Sequence, residues 1–289
     1  MSPEIRQKLS DYAQLMRIDR PIGTLLLLWP TFWALWLATR GHPPVGIVLI
    51  FVVGTFLMRS AGCVINDYAD RHFDGEVERT RQRPFARKAV SEREALLLAG
   101  ALALLSLGLI LPLNRLTQEL SIIAVLLSAS YPYTKRFFPI PQAYLGIAFA
   151  FGIPMSFAAT TNAVPLVAWV MTLATGFWVI AYDTAYAMAD KPDDLKLGLK
   201  SSAITFGRHD VRAIMICHGG FLILMTWVGL QLDMGLLYYA SILFSIFLIN
   251  IQYHEIKTRD RALCFKAFLD NNQVGAVIFS GVLMDYLLR

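Results

Sequence analysis

The chain has 289 residues, of which 56% are hydrophobic and 16% charged, with a mean hydropathy of +0.52. Soluble domains carry about 25% charge, so this composition excludes an ordinary soluble globule and indicates an integral membrane protein. The excess of 26 basic over 21 acidic residues sits in loops between apolar runs, where membrane orientation and anionic lipid account for it and nucleic acid is not expected as a partner.

Taken in chain order, the first twenty residues are polar and charged without a cleavable signal pattern, so the first span is expected to act as an uncleaved anchor. Runs free of Asp, Glu, Lys and Arg then cover residues 21–39, 42–58, 95–114, 120–134, 137–182, 213–232, 234–253 and 271–284. A helical crossing takes roughly 20 residues, so the run 137–182 must hold two spans folded at Thr160-Thr161-Asn162-Ala163-Val164-Pro165. The expected fold is all-α, a single-domain polytopic membrane protein with nine transmembrane helices around a central cavity that opens to the cytoplasm.

Charge between the spans orients them, because Lys and Arg of short loops stay on the cytoplasmic side. Alternate connections hold 22 of the 26 basic residues, the other side only Arg40, Arg115 and Arg289, and Arg59 lies inside the second span. The N-terminus is therefore expected in the cytoplasm and the C-terminus outside. Cys63, Cys217 and Cys264 are odd in number and fall in spans or a cytoplasmic loop, which suggests reduced thiols; no C-x-x-C or H-x-x-x-H spacing occurs.

Two aspartate-rich stretches end long apolar runs on the same predicted face. The first is Asn66-Asp67-Tyr68-Ala69-Asp70-Arg71-His72-Phe73-Asp74; the second runs from Asp183 through Asp190 to Asp194. If the second span continues as a helix through residue 74, Arg59, Asn66, Asp70 and Asp74 share about a quarter of its circumference, with Asp67 beside them. Asp183, Asp190 and Asp194 align equally on the sixth span. Carboxylates at a membrane rim are costly and usually line a polar cavity or hold a cation. Read singly, these acids are solvated loop charges paired with Arg71, Arg79 and Lys191; as two matched D-x-x-x-D stripes they favour a metal site. Oxygen donors suit Mg²⁺, which is commonly held by one or two carboxylates together with substrate phosphate oxygens.

Cations for a phosphate lie on the same face. Tyr131 and Lys135 are four residues apart at the end of the fourth span, with Arg136 adjacent, and Arg20 precedes Pro21 at the mouth of the first. Each of these basic residues also has an interfacial snorkelling explanation. Arg59, two turns inside a span and on the acidic stripe, is harder to explain that way. Gly198-Leu199-Lys200-Ser201 lacks the G-x-x-x-x-G-K-[ST] spacing of an ATP-binding loop. Trp29, Trp33, Trp36 and Trp178 are read as core, interfacial or lipid-facing.

With these residues in place, the chain resembles the UbiA superfamily of intramembrane prenyltransferases over nearly its whole length. The resemblance rests on Asp19-Arg20-Pro21-Ile22-Gly23-Thr24, the N-D-x-x-D-x-x-x-D motif from Asn66 to Asp74, Arg83-Pro84, Tyr131-x-x-x-Lys135, Tyr182-Asp183-x-x-Tyr186-Ala187-Met188, Asp190-x-x-x-Asp194 and Gly198-x-Lys200-Ser201. It is strongest to members that prenylate 4-hydroxybenzoate in ubiquinone synthesis. It implies Mg²⁺ as cofactor, Asn66, Asp70 and Asp74 as ligands of one ion, and Asp190 and Asp194 as ligands of another.

The resemblance further implies that polyprenyl diphosphate meets Arg20, Tyr131 and Lys135. Asp70, Asp74, Asp190, Asp194 and Lys135 are thus the expected catalytic residues, while Arg59, Asn66, Arg136 and Asp183 complete the expected substrate contacts, Arg59 answering the acceptor carboxylate. The expected location is a bacterial inner membrane, with the bilayer as solvent and the site cytoplasmic. Sister enzymes acting on homogentisate, a naphthoate or haem, and a cation-coupled transporter, are the alternatives. Two departures stand out. Where the family reads N-R-P-L-x-S-G, this chain reads Gln82-Arg83-Pro84-Phe85-Ala86-Arg87-Lys88, without the glycine. Pro192, between Asp190 and Asp194, is expected to end or kink its helix.

Overall fold

Backbone N–H and C=O groups in hydrocarbon have no water to bond, so the apolar runs must satisfy themselves as helices. The computed structural model describes residues 2–71, 75 and 80–289, and among these the regular structure is helical with no strand. An N-terminal helix α1 (Pro3–Leu15) precedes α2 (Ile22–Ala38), α3 (Val45–Ala69), α4 (Glu92–Ile110) and α5 (Arg115–Thr134). Then follow α6 (Pro141–Ala150), α7 (Gly152–Thr161), α8 (Leu166–Leu197), the short α9 (Ser202–Phe206), α10 (Asp210–Gln231), α11 (Leu236–Ile256) and α12 (Arg261–Leu287).

Each expected span lies on one of these helices. By length and composition, Val45–Ala69, Glu92–Ile110, Pro141–Thr161, Leu166–Leu197, Ser202–Gln231 and Leu236–Ile256 can cross a membrane, while Ile22–Ala38 is apolar but shorter. The chain is a multi-pass membrane protein. The long run 137–182 does fold back near Pro165: α7 ends at Thr161, Asn162 caps it in the left-handed conformation at φ 54°, and α8 starts at Leu166.

Helices α6 and α7 are two pieces of one apolar segment, interrupted at Phe151. Pro154 has no N–H for the Ala150 carbonyl, which accounts for the interruption. Small residues allow close packing around it. A Cβ at Gly146 would stand 3.0 Å from the Gly176 carbonyl oxygen of α8, and one at Gly152 would stand 2.6 Å from Thr31 Oγ1 of α2.

The core is built on tryptophan. Trp33 of α2, Trp178 of α8 and Phe221 of α10 are fully buried, with ring centroids 5.3 Å, 5.6 Å and 6.0 Å apart. Buried indole N–H groups need acceptors, and α12 supplies them. Trp33 donates to the Gly275 carbonyl at 3.1 Å, Trp178 to Asn271 Oδ1 at 2.9 Å and Trp29 to Asn272 Oδ1 at 2.8 Å. Trp29 and Trp36 pack at the edge of the core rather than within it. Leu97, Leu104, Leu126, Ile223 and Leu243 are exposed on the outer surface, as residues facing lipid are. All three cysteines are buried free thiols.

Ion pairs fasten the ends of the helices. Asp210, fully buried at the start of α10, receives Lys191 of α8 at 3.3 Å and Arg259 of the α11–α12 connection at 2.8 Å. Gly275 is where three indoles converge: a Cβ there would overlap Trp29 and come to 3.0 Å from Trp178. Gly275→Ala is expected to destabilise the protein by about 2 kcal/mol through overpacking, read as a lower thermal midpoint of the purified protein.

Candidate active site

Helices α2 to α8 and the start of α12 enclose a cavity of about 770 Å³. One end is polar, lined by Arg20, Asn66, Asp70, Lys135, Asp190 and Asp194; the remaining wall is largely apolar, with Phe51, Leu107, Val125, Phe149 and Met155. The two aspartate stretches, far apart in sequence, therefore face one chamber.

Helix α3 supplies the first stripe. It ends at Ala69, with Asp70 as its C-cap, so the helical continuation expected through residue 74 does not occur; Asp74 itself lies outside the described residues. Asn66 Nδ2 donates to Asp70 Oδ2 at 3.4 Å, and Lys135 Nζ reaches the same oxygen at 3.0 Å. Burial works against the Lys135 charge, but the adjacent Asp70 carboxylate more than offsets it and holds the ammonium above its ordinary pKa.

Helix α8 supplies the second stripe, and Pro192 does not end it. The helix runs on to Leu197 and stops at Gly198, which is left-handed at φ 67°. Arg261 of α12 braces the turn around Pro192 from outside: its Nε donates to the Ala189 carbonyl at 2.7 Å, while its Nη2 holds Asp193 at 2.6 Å. Asp190 and Asp194 consequently stay one turn apart, both on the cavity wall.

Tyr131 lines the cavity beside Lys135. Arg136, expected on the substrate, lies outside the lining; it donates to the Ala69 carbonyl at 2.9 Å and covers the Tyr133 ring. Its position ties α5 to the last turn of α3. Arg20 lines the mouth with an exposed side chain 3.6 Å from Asp19. Arg59 lies deeper, packed on Gly23, where a Cβ would approach Nη2 to 2.5 Å. Lys200 donates through its backbone N–H to the Lys135 carbonyl at 3.0 Å and through Nζ to the Phe137 carbonyl at 2.9 Å, closing the loop 198–201 against the cavity.

Several roles were not read from the sequence. Asp67, 1% exposed, is gripped by Arg17 at 2.7 and 2.8 Å and by Arg83 at 3.0 Å, which joins the chain before α2 and the loop after α3 to the site. Arg17 adopts φ 56° to do so. Gln142, buried at the start of α6, lines the cavity with Asp183 and accepts from the Ser202 N–H at 2.8 Å. A polar residue directly after an N1 proline carries no sequence mark of such a role.

The loop lacking the family glycine keeps a glycine-like backbone. Ala89 N–H bonds the Pro84 carbonyl and Lys88 N–H the Phe85 carbonyl, a Schellman pair, with Lys88 left-handed at φ 59°. Arg87 pairs with Asp11 of α1, and Lys8 of α1 bonds the Ala89 carbonyl at 3.0 Å and Glu94 at 2.8 Å.

Among the described residues no group of three or more His, Cys, Asp and Glu side chains forms a ready metal cluster. What α3 and α8 bring to the chamber is a set of hard oxygen donors, Asn66, Asp70, Asp190 and Asp194, two from each helix. Mg²⁺ binds with few protein ligands and completes its octahedron with water and phosphate oxygens, so this set fits it.

Residues 27–278 match the UbiA prenyltransferase family. The chain belongs to that family. It is 62% identical over 285 residues to a 4-hydroxybenzoate octaprenyltransferase of Nitrosospira multiformis, covering 99% of this chain and 98% of the relative. A relative of the same description from Azoarcus is 60% identical, covering 98% and 99%. The fold matches a UbiA homologue from Aeropyrum pernix with a TM-score of 0.81 at 24% identity, over 92% of this chain and 98% of that one. A homologue from Archaeoglobus fulgidus, bound to GPP and Mg²⁺, matches with a TM-score of 0.70 at 18% identity, over 96% and 99%.

The left-handed lysine yields a direct test. Lys88→Gly is expected to stabilise the protein by about 1 kcal/mol, since glycine removes the Cβ penalty of that conformation; thermal unfolding of the purified variant would show a raised midpoint.

Proposed function

We propose that the chain transfers a long polyprenyl group from polyprenyl diphosphate to the ring carbon ortho to the hydroxyl of 4-hydroxybenzoate, the prenylation step of ubiquinone biosynthesis. The observation that carries this reading is the meeting of acids from two helices and Lys135 at the polar end of an otherwise apolar chamber. A diphosphate fits the polar end and a hydrocarbon tail the apolar wall. The full-length similarity to 4-hydroxybenzoate octaprenyltransferases supports the same reaction.

Arg20, Tyr131 and Lys135 hold the diphosphate oxygens. Lys135 presents a compact cation beside the leaving group, where negative charge grows as the C–O bond breaks. Asn66, Asp70, Asp190 and Asp194, together with Asp74, would hold Mg²⁺, which neutralises charge on a departing diphosphate. Arg59 answers the carboxylate of the acceptor. The face of an aromatic side chain on the wall, such as Tyr186 or Phe268, can stabilise the allylic cation. The ring proton leaves to a carboxylate at the polar end, such as Asp190, or to the diphosphate.

The same reading sets the topology. Nine crossings, on α2, α3, α4, α5, α6–α7, α8, α10, α11 and α12, form a single domain in a bacterial inner membrane. The strong bias of basic residues to alternate connections supports an N-terminus and a polar mouth in the cytoplasm.

Membranes carrying the protein, given labelled prenyl diphosphate and 4-hydroxybenzoate, should form prenylated product with Mg²⁺ and none in EDTA. Asp70→Ala and Asp190→Ala should each lower the rate by at least about 100-fold. Undiminished product in EDTA, or full activity from both variants, would contradict the metal assignment.

A further inference from the structure

Two functional layers repeat along the cavity. Arg59 precedes Asn66 by seven residues on α3, and Asp183 precedes Asp190 by seven residues on α8. Seven residues of helix are two turns, about 10 Å, so each helix carries a second polar group on the cavity wall two turns deeper than its rim donors. The rim layer suits a diphosphate. The deeper layer holds one guanidinium and one carboxylate on the wall of a largely apolar chamber.

Asp183 is not left to find its own orientation. Gln142, 5% exposed, lines the same wall of the cavity, while its Oε1 accepts from the Ser202 N–H at 2.8 Å. That acceptance leaves the amide NH₂ as the group Gln142 can offer to a carboxylate. Ser202 is itself fixed, its hydroxyl 2.7 Å from Thr184 of α8. The groups whose charge acts on Asp183 are Lys135 from the end of α5, Arg59 from α3 and Asp190 on its own helix.

Resting on the reaction proposed above, we infer that Asp183, oriented by Gln142, accepts a hydrogen bond from the hydroxyl of 4-hydroxybenzoate while Arg59 pairs with the carboxylate at the opposite end of the ring. Asp183 is then the residue that selects a phenolic acceptor, and Gln142 is a positioning residue that acts through it. A carboxylate accepting from the phenol O–H pushes electron density into the ring, which favours attack from the carbon ortho to that oxygen. No proton changes owner in this contact.

Gln142→Glu separates the roles. The new side chain keeps its volume and an oxygen to accept from Ser202 N–H, but it replaces the donor facing Asp183 with a second acceptor. With geranyl diphosphate as donor, Gln142→Glu and Asp183→Asn should each raise the KM for 4-hydroxybenzoate about tenfold or more, the loss expected for one charge-assisted hydrogen bond, with the KM for the diphosphate changed less than about twofold. Inhibition by 4-methoxybenzoate, which has no hydroxyl to donate, should keep its wild-type strength in both variants. Because Asp183→Asn preserves shape and leaves Ser202 bonded, it serves if Gln142→Glu fails to fold. The inference is overturned if both KM values move together, if neither moves, or if 4-methoxybenzoate weakens as much as 4-hydroxybenzoate. A wild-type protein that forms no prenylated 4-hydroxybenzoate would instead sink the proposed reaction itself.

Discussion

The contact between Lys135 and Asp70 carries the constraint that shapes this molecule. Charge near hydrocarbon is tolerated only when opposed by charge, and here the opposing groups come from α5 and the end of α3. Satisfying that pair fixes the distance between two helices at the polar end of the cavity. Arg136, next in sequence, binds the carbonyl of Ala69, so one dipeptide both neutralises the acid and caps the helix that carries it. The loop 198–201 then bonds the backbone of Lys135, bringing the far end of α8 into the same assembly.

Much of this was legible in advance because membranes impose simple rules. Apolar run lengths located the spans, and acids recurring every four residues at the ends of two runs located the chamber. What could not be read depended on partners distant in sequence. Pro192 reads as a helix end, yet α8 continues past it to Leu197, with Arg261 of α12 bonding the Ala189 carbonyl and Asp193 around it. Asp67 looked like a neighbour of the stripe, yet two arginines from different segments claim it. Helix α1 and the interruption at Phe151 left no trace in a search for long apolar runs, since one is too polar and the other too brief.

The loop after α3 shows how a missing glycine need not mean a changed backbone. Lys88 accepts a left-handed conformation because hydrogen bonds from residues 88 and 89 to Phe85 and Pro84 define the turn around it, and because Arg87 and Lys8 anchor its flanks to α1. Motif comparison registers the substitution, whereas the tertiary contacts determine its effect. The strained conformation persists because these contacts over-determine the chain path.

The seat of Arg59 on Gly23 couples two positions far apart in sequence. A methyl group added at residue 23 would press on the guanidinium directly, so a larger residue there would push the end of Arg59 to a new position. Any attempt to graft a new acceptor preference onto this scaffold by altering residue 59 begins with the bare backbone of α2 opposite it. Its room for manoeuvre is set there, on a residue that itself has no functional group.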